Sequence, residues 1–135
     1  MKKIAILLLV VAWSITMTGQ DKKAVANKLK SITVQEQKFE KGAGGKLMPE
    51  SVIRYDQSGN IIEEIEYKEG KVSRHFAYKY DTDNNKIQEI EFDPSGKKIK
   101  ITEYKYNEAH LRTERIVYNG SNQVLSKRTY KYETY

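Results

Sequence analysis

AYKYDTDNN, residues Ala77 to Asn85, ends an alternating run on Tyr78-Lys79-Tyr80 and passes at once into an Asp/Asn-rich turn. The same triplet returns as Tyr104-Lys105-Tyr106 and Tyr130-Lys131-Tyr132, each copy beginning 26 residues after the last. Related aromatic–turn signals flank it: Tyr55-Asp56-Gln57-Ser58-Gly59-Asn60 before, and Tyr106-Asn107-Glu108-Ala109-His110 after. Between these lie Tyr67-Lys68-Glu69-Gly70-Lys71, Phe92-Asp93-Pro94-Ser95-Gly96-Lys97 and Tyr118-Asn119-Gly120-Ser121-Asn122. From Tyr55 to Tyr132 the aromatic steps are 12, 13, 12, 14, 12 and 14 residues. A turn signal every dozen residues reads as consecutive strands joined by hairpins. Units of this length, each pairing with its neighbours, build an elongated, quasi-one-dimensional structure.

Alternation agrees. In 72–80, Val72, Arg74, Phe76, Tyr78 and Tyr80 oppose Ser73, His75, Ala77 and Lys79. In 123–132, Val124, Ser126, Arg128, Tyr130 and Tyr132 oppose Gln123, Leu125, Lys127, Thr129 and Lys131. Strand side chains alternate with period two, so each Tyr-Lys-Tyr sets two tyrosines against one lysine. The expectation is an all-β chain: an open, curled antiparallel meander of about eight strands, built from hairpin repeats of roughly 25 residues. The strands are expected near 31–40, 47–56, 60–68, 71–81, 86–93, 97–107, 111–118 and 123–133. On this reading Lys41 to Lys46 is a flexible loop, Pro49 opens the second strand, and Lys22 to Lys30 holds a short helix. Tyrosines, isoleucines and phenylalanines are expected to stack on one face, leaving a Lys/Glu face in water.

The first residues carry a different message. Lys2 and Lys3 precede an unbroken apolar stretch from Ile4 to Trp13, then small and polar residues to Gly19 and the charged Asp21-Lys22-Lys23. This is the order of a secretory signal peptide, and the apolar stretch is about half of the roughly 20 residues a spanning helix needs. The expected organisation is a leader over 1–19, a lead-in over 20–30 and one β domain over 31–135, exported to the periplasm, the outer surface or the medium. No cysteine occurs, which excludes lipid attachment through cysteine and any disulfide framework. Of the 24 basic residues two lie in the leader, leaving 22 against 18 acidic ones, a spread-out charge of +4 with no basic block. That distribution argues against nucleic acid as a partner.

The order Tyr-Asp-x-x-Gly-x, an apolar-and-acidic strand, a tight turn and a strand ending in Tyr-x-Tyr resembles the YD repeats of bacterial Rhs proteins. The resemblance runs over residues 50–133 and is best at Tyr55-Asp56…Gly59 and Phe92-Asp93…Gly96. Tyr80-Asp81 keeps the opening with Asn84 in the glycine position, and Tyr106-Asn107 and Tyr118-Asn119 depart further. The resemblance implies a strand–turn scaffold of β-hairpins in a spiralling sheet. In the large members of that family the sheet encloses a toxin or mediates adhesion. With about three repeats and no payload here, encapsulation does not carry over.

Chemistry is sparse. His75 and His110 sit in different strand connections, and a zinc site needs three or four ligands, so no metal or cofactor is expected. Asp81-Thr82-Asp83-Asn84-Asn85 starts like a calcium loop, but Lys86 and Phe92 replace its glycine and its bidentate glutamate. Glu63, Glu64, Glu66, Glu89 and Glu91 have basic neighbours throughout and read as a solvated face, with no nucleophile elbow or P-loop beside them. The chain is therefore expected to be non-catalytic. The candidate binding residues are Tyr78, Tyr80, Tyr104, Tyr106, Tyr130 and Tyr132, an aromatic face suited to an apolar partner or to sugar rings. The unpaired edges near 31–40 and 123–133 invite strand addition, including self-association. An envelope protein or a polysaccharide is the expected partner: the chain reads first as a binding and structural module for a protein, and alternatively as a carbohydrate-binding cell-envelope protein.

Overall fold

The structure is a computed structural model, and it describes residues 21–135; the expected leader, 1–19, lies outside the described residues. A helix, α1 (Lys22–Ala26), precedes eight strands: β1 (Ser31–Glu40), β2 (Ala43–Tyr55), β3 (Ile61–Lys68), β4 (Lys71–Tyr80), β5 (Lys86–Phe92), β6 (Lys98–Tyr106), β7 (Arg112–Asn119) and β8 (Val124–Thr129). They form one antiparallel sheet in strict sequence order, and it does not close into a barrel. All extensive contacts join sequence neighbours, so among the described residues no second layer covers either face.

Five of the seven hairpins share one loop. In each, an Asx side chain accepts hydrogen bonds from the backbone N–H groups two and four residues on. Asp56 takes Ser58 and Asn60, both at 2.9 Å; Asp81 takes Asp83 and Asn85, also at 2.9 Å. Asp93, Asn107 and Asn119 repeat the pattern. The fourth residue of each loop is left-handed: Gly59, Asn84, Gly96, His110 and Asn122. Asx side chains and residues that tolerate positive φ are what such a loop needs, which is why the Tyr-Asp-x-x-Gly spacing recurs. Asn84, in the glycine position, is left-handed as that spacing requires. The other two hairpins, β1–β2 and β3–β4, turn on Lys41-Gly42 and Glu69-Gly70, with positive φ at both residues as tight two-residue hairpins require.

This overturns the flexible loop expected from Lys41 to Lys46. The two-residue turn puts Ala43 directly into β2, and Pro49 falls inside that strand, opposite Gln35, instead of opening it. The expected short helix forms over Lys22–Ala26, capped by Asp21, whose carboxylate accepts from the N–H groups of Lys23 and Ala24. The last strand ends at Thr129, short of the expected 133.

The expected division of faces is also corrected. Tyr78 lies opposite Glu89 and Phe76 opposite Glu91, while Ala77 meets Ile90. The tyrosines of β4 therefore share their face (the front) with carboxylates. Ile65, Ile90, Ile101 and Ile116 lie on the back with His75, Phe92 and Tyr118. The cause is a bulge beside each Asx loop. Lys79 pairs with Gln88 but Tyr80 with Lys86, so Ile87 has no opposite residue and the register beyond it shifts by one; such a shift exchanges faces. Ile62, Ile99 and Leu125 occupy equivalent bulges. Both faces bury apolar side chains: Phe76, Tyr78 and Val117 in front, Ile90 and Ile101 behind.

Candidate functional site

The six tyrosines of the three triplets have two structural jobs. The second tyrosine of each triplet reaches across its own hairpin and donates its hydroxyl to a backbone carbonyl at the start of the neighbouring strand. Tyr80 reaches Ile61 at 2.7 Å, Tyr106 reaches Lys86 at 2.6 Å and Tyr132 reaches Arg112 at 2.7 Å. Tyr55 holds the equivalent place at the end of β2, but its hydroxyl donates to the Asp21 carboxylate at 3.1 Å instead of to a carbonyl of β1. The residue that caps the N-terminal helix thus takes the place of a β1 carbonyl as acceptor. Asp21 N–H also donates to the Gly59 carbonyl, and a Cβ at Gly59 would collide with the Val25 side chain.

First tyrosines face charged groups. Tyr78 is nearly sealed, at 5% exposure, and donates to Glu64 at 2.6 Å, with the Lys86 ammonium 4.2 Å over its ring. Burial, then the Glu64 bond, raise its hydroxyl well above the ordinary range. Burial also raises Tyr80 and Tyr104, with Glu64 and Glu89 respectively adding to it. Tyr104 lies under the Arg112 guanidinium, 4.2 Å from its ring centre. Tyr130 differs: burial would raise it, but Arg128 and Arg112 beside its hydroxyl outweigh that and lower it. The triplet lysines stay apart from the tyrosines, as the alternation predicts; Lys105 pairs across the back face with Glu114 at 2.9 Å.

Turns at one end of the sheet stack by side chain. Asn60 donates to the Asn84 side-chain oxygen at 2.8 Å, and Asn85 to the His110 Nδ1 at 3.1 Å. Leu111 occupies the next asparagine position and ends this ladder. The calcium-like stretch is spent in this turn, with the Asp81 carboxylate accepting from Asp83 and Asn85. Among the described residues no group of three or more His, Cys, Asp or Glu is placed to hold a metal. His75 binds Glu63 at 2.9 Å and stacks on Phe92 with ring centres 4.5 Å apart, far along the chain from His110.

The edges are bare. Every residue of β1 and β8 is exposed. Beyond Ser51 towards the β1–β2 turn, β2 pairs only with β1, because β3 reaches no further than the register Ser51–Glu66. A two-stranded ribbon results, and it carries Phe39 at 64% and Leu47 at 49% exposure. Sequence reasoning found both edges but missed this ribbon; the signal was Lys41-Gly42, a two-residue turn of the same kind as Glu69-Gly70.

Among the described residues no helix is long and apolar enough to cross a membrane. No protein-family model matches the chain, and no curated protein matches it.

Proposed function

We propose that this chain is an exported, non-catalytic interaction module that binds a protein partner by strand addition to β1. The observation that carries this reading is the β1–β2 ribbon, whose outer edge is unpaired among the described residues and which exposes Phe39 and Leu47. A free edge in a single-layer sheet offers a row of unpaired N–H and C=O groups, and alternate side chains beside it give specificity. The YD-like repeat supplies a rigid support. Export rests on the order of Lys2, Lys3, the apolar run and Gly19. The tyrosine face is the weaker surface for binding, because four of its six candidate hydroxyls, those of Tyr78, Tyr80, Tyr106 and Tyr132, already donate within the chain.

A photo-crosslinking residue placed singly at Phe39, Val124, Lys79, Tyr104 and Tyr130 tests this in the producing cell. A discrete protein adduct from Phe39, absent from Lys79, is expected. Adducts from Tyr104 or Tyr130 positions with none from either edge would instead assign binding to the tyrosine face.

A further inference from the structure

The front face changes character along the sheet. Over β3 to β5 it carries Glu64, Glu66, Arg74, Glu89 and Glu91, whereas over β7 and β8 it carries Arg112, Arg115 and Arg128. Arg115 lies directly opposite Arg128 on one side and Tyr104 on the other. Like charges facing each other across a strand pair repel. The carboxylates that could relieve them are engaged elsewhere. Glu114, behind the sheet, holds Lys105 and Lys127, both at 2.9 Å, and Glu103 accepts from Tyr118. Glu89, the front-face acid acting on Tyr104, is 3.5 Å from the Lys86 ammonium. Among the described residues none of the three arginines forms an ion pair.

Arg112 is the most enclosed of them. It lies over the Tyr104 ring with the Tyr106 and Tyr130 hydroxyls beside it, and its Nε is buried without a hydrogen-bond partner. A buried donor left unmade is costly, and two opposed guanidiniums add to that cost.

We propose that Arg112, Arg115 and Arg128, framed by Tyr104, Tyr106 and Tyr130, bind a tetrahedral oxyanion, a phosphate or sulfate group carried as an ester on a partner molecule. Guanidinium forks match such groups bidentately. Three guanidiniums from two strands exceed what one planar carboxylate, with two oxygens, engages. The partial enclosure of Arg112 shields that guanidinium from the screening that weakens exposed pairs, while Arg128 stays open to solvent. This goes beyond the edge-binding reading and does not depend on it.

The test is an NMR titration of the arginine Nε–H signals with inorganic phosphate and sulfate, at constant ionic strength held with chloride. Saturable shifts confined to the three arginines are expected. Arg115→Gln and Arg128→Gln should each weaken binding roughly tenfold, while Arg54→Gln, which loses only its Glu63 pair, leaves it unchanged. Arg128→Gln should also raise Tm without phosphate and remove the Tm gain with it, a pair of effects that simple loss of packing does not produce. A folded Arg128→Gln that binds phosphate like the parent, or shifts spread evenly over Arg54, Arg74 and the lysines, overturns the site. Methyl phosphate supplies the ester: binding as tight as inorganic phosphate supports a partner-borne group, and binding tenfold weaker overturns that part.

Discussion

The Tyr80 hydroxyl donates to the Ile61 carbonyl, 19 residues earlier, at 2.7 Å, and in doing so ties the end of β4 to the start of β3. Tyr106 and Tyr132 repeat the bond at a separation of 20 residues. The 26-residue recurrence of Tyr-Lys-Tyr is therefore explained by the scaffold: the second tyrosine is a rivet that closes the open end of every second hairpin, β3–β4, β5–β6 and β7–β8.

Replacing a rivet by phenylalanine keeps the ring and removes only the hydroxyl. Tyr80→Phe and Tyr106→Phe leave a half-buried carbonyl without its partner and should each lose about 1–3 kcal/mol in urea unfolding. Tyr132→Phe, at the exposed end of the series, should lose less than either. Equal losses at all three would mean that the bond is not what ties the two strand ends together.

Asn84 and Asn122 share the left-handed conformation, both at φ 63, but only Asn84 accepts a bond from the neighbouring turn. Glycine relieves positive φ, so Asn122→Gly should stabilise by up to about 1 kcal/mol. At Asn84 the same relief is offset by loss of the Asn60 bond, and Asn84→Gly should be neutral or destabilising. Thermal melts of the two variants, read side by side, check this.

The fold was legible because turn chemistry is local. Asx at the first loop position and Gly, Asn or His at the fourth are written at regular steps, and strand number and order follow from them. The division of faces was not legible, because it depends on one unpaired residue per bulge. Ile87 looks like a strand residue in alternation with Gln88, and only the closed Asp81–Asn85 loop sends Glu89, not Ile90, across to Tyr78. The arginine cluster was hidden for the same reason. Arg115 and Arg128 lie 13 residues apart and meet only once the β7–β8 register is set.

Tyrosine ionisation should report unfolding at high pH. Burial and the Asp21 bond push Tyr55 up to about 12, and Tyr78, Tyr80 and Tyr104 are raised as well. A folded-state pKa above the unfolded value, about 10, gives stability that is full below pH 10 and lost as pH rises through the folded values. Alkaline titration followed by phenolate absorbance should show an early fraction that includes Tyr130, whose pKa is lowered, and a late fraction that appears together with loss of strand circular dichroism. A single transition at the ordinary tyrosine pKa with the sheet intact would contradict the burial of Tyr55 and Tyr78.

Truncation on the back face should show what a single-layer sheet does to core energetics. Ile90 is 8% exposed, yet among the described residues it is enclosed only by neighbours in its own sheet, such as Ala77 and Ile101. In a two-layer core Ile→Ala costs about 2–5 kcal/mol, and the upper part of that range reflects the cavity left behind. Here the space opens to water instead of closing into a void. The transfer contribution remains, about 2 kcal/mol for a buried side chain of this size. Ile90→Ala should therefore fall near that figure in denaturant unfolding, with Ile101→Ala close to it. A loss near 5 kcal/mol would require a second layer over the back face, supplied by another copy of the chain, and the denaturation midpoint would then depend on protein concentration.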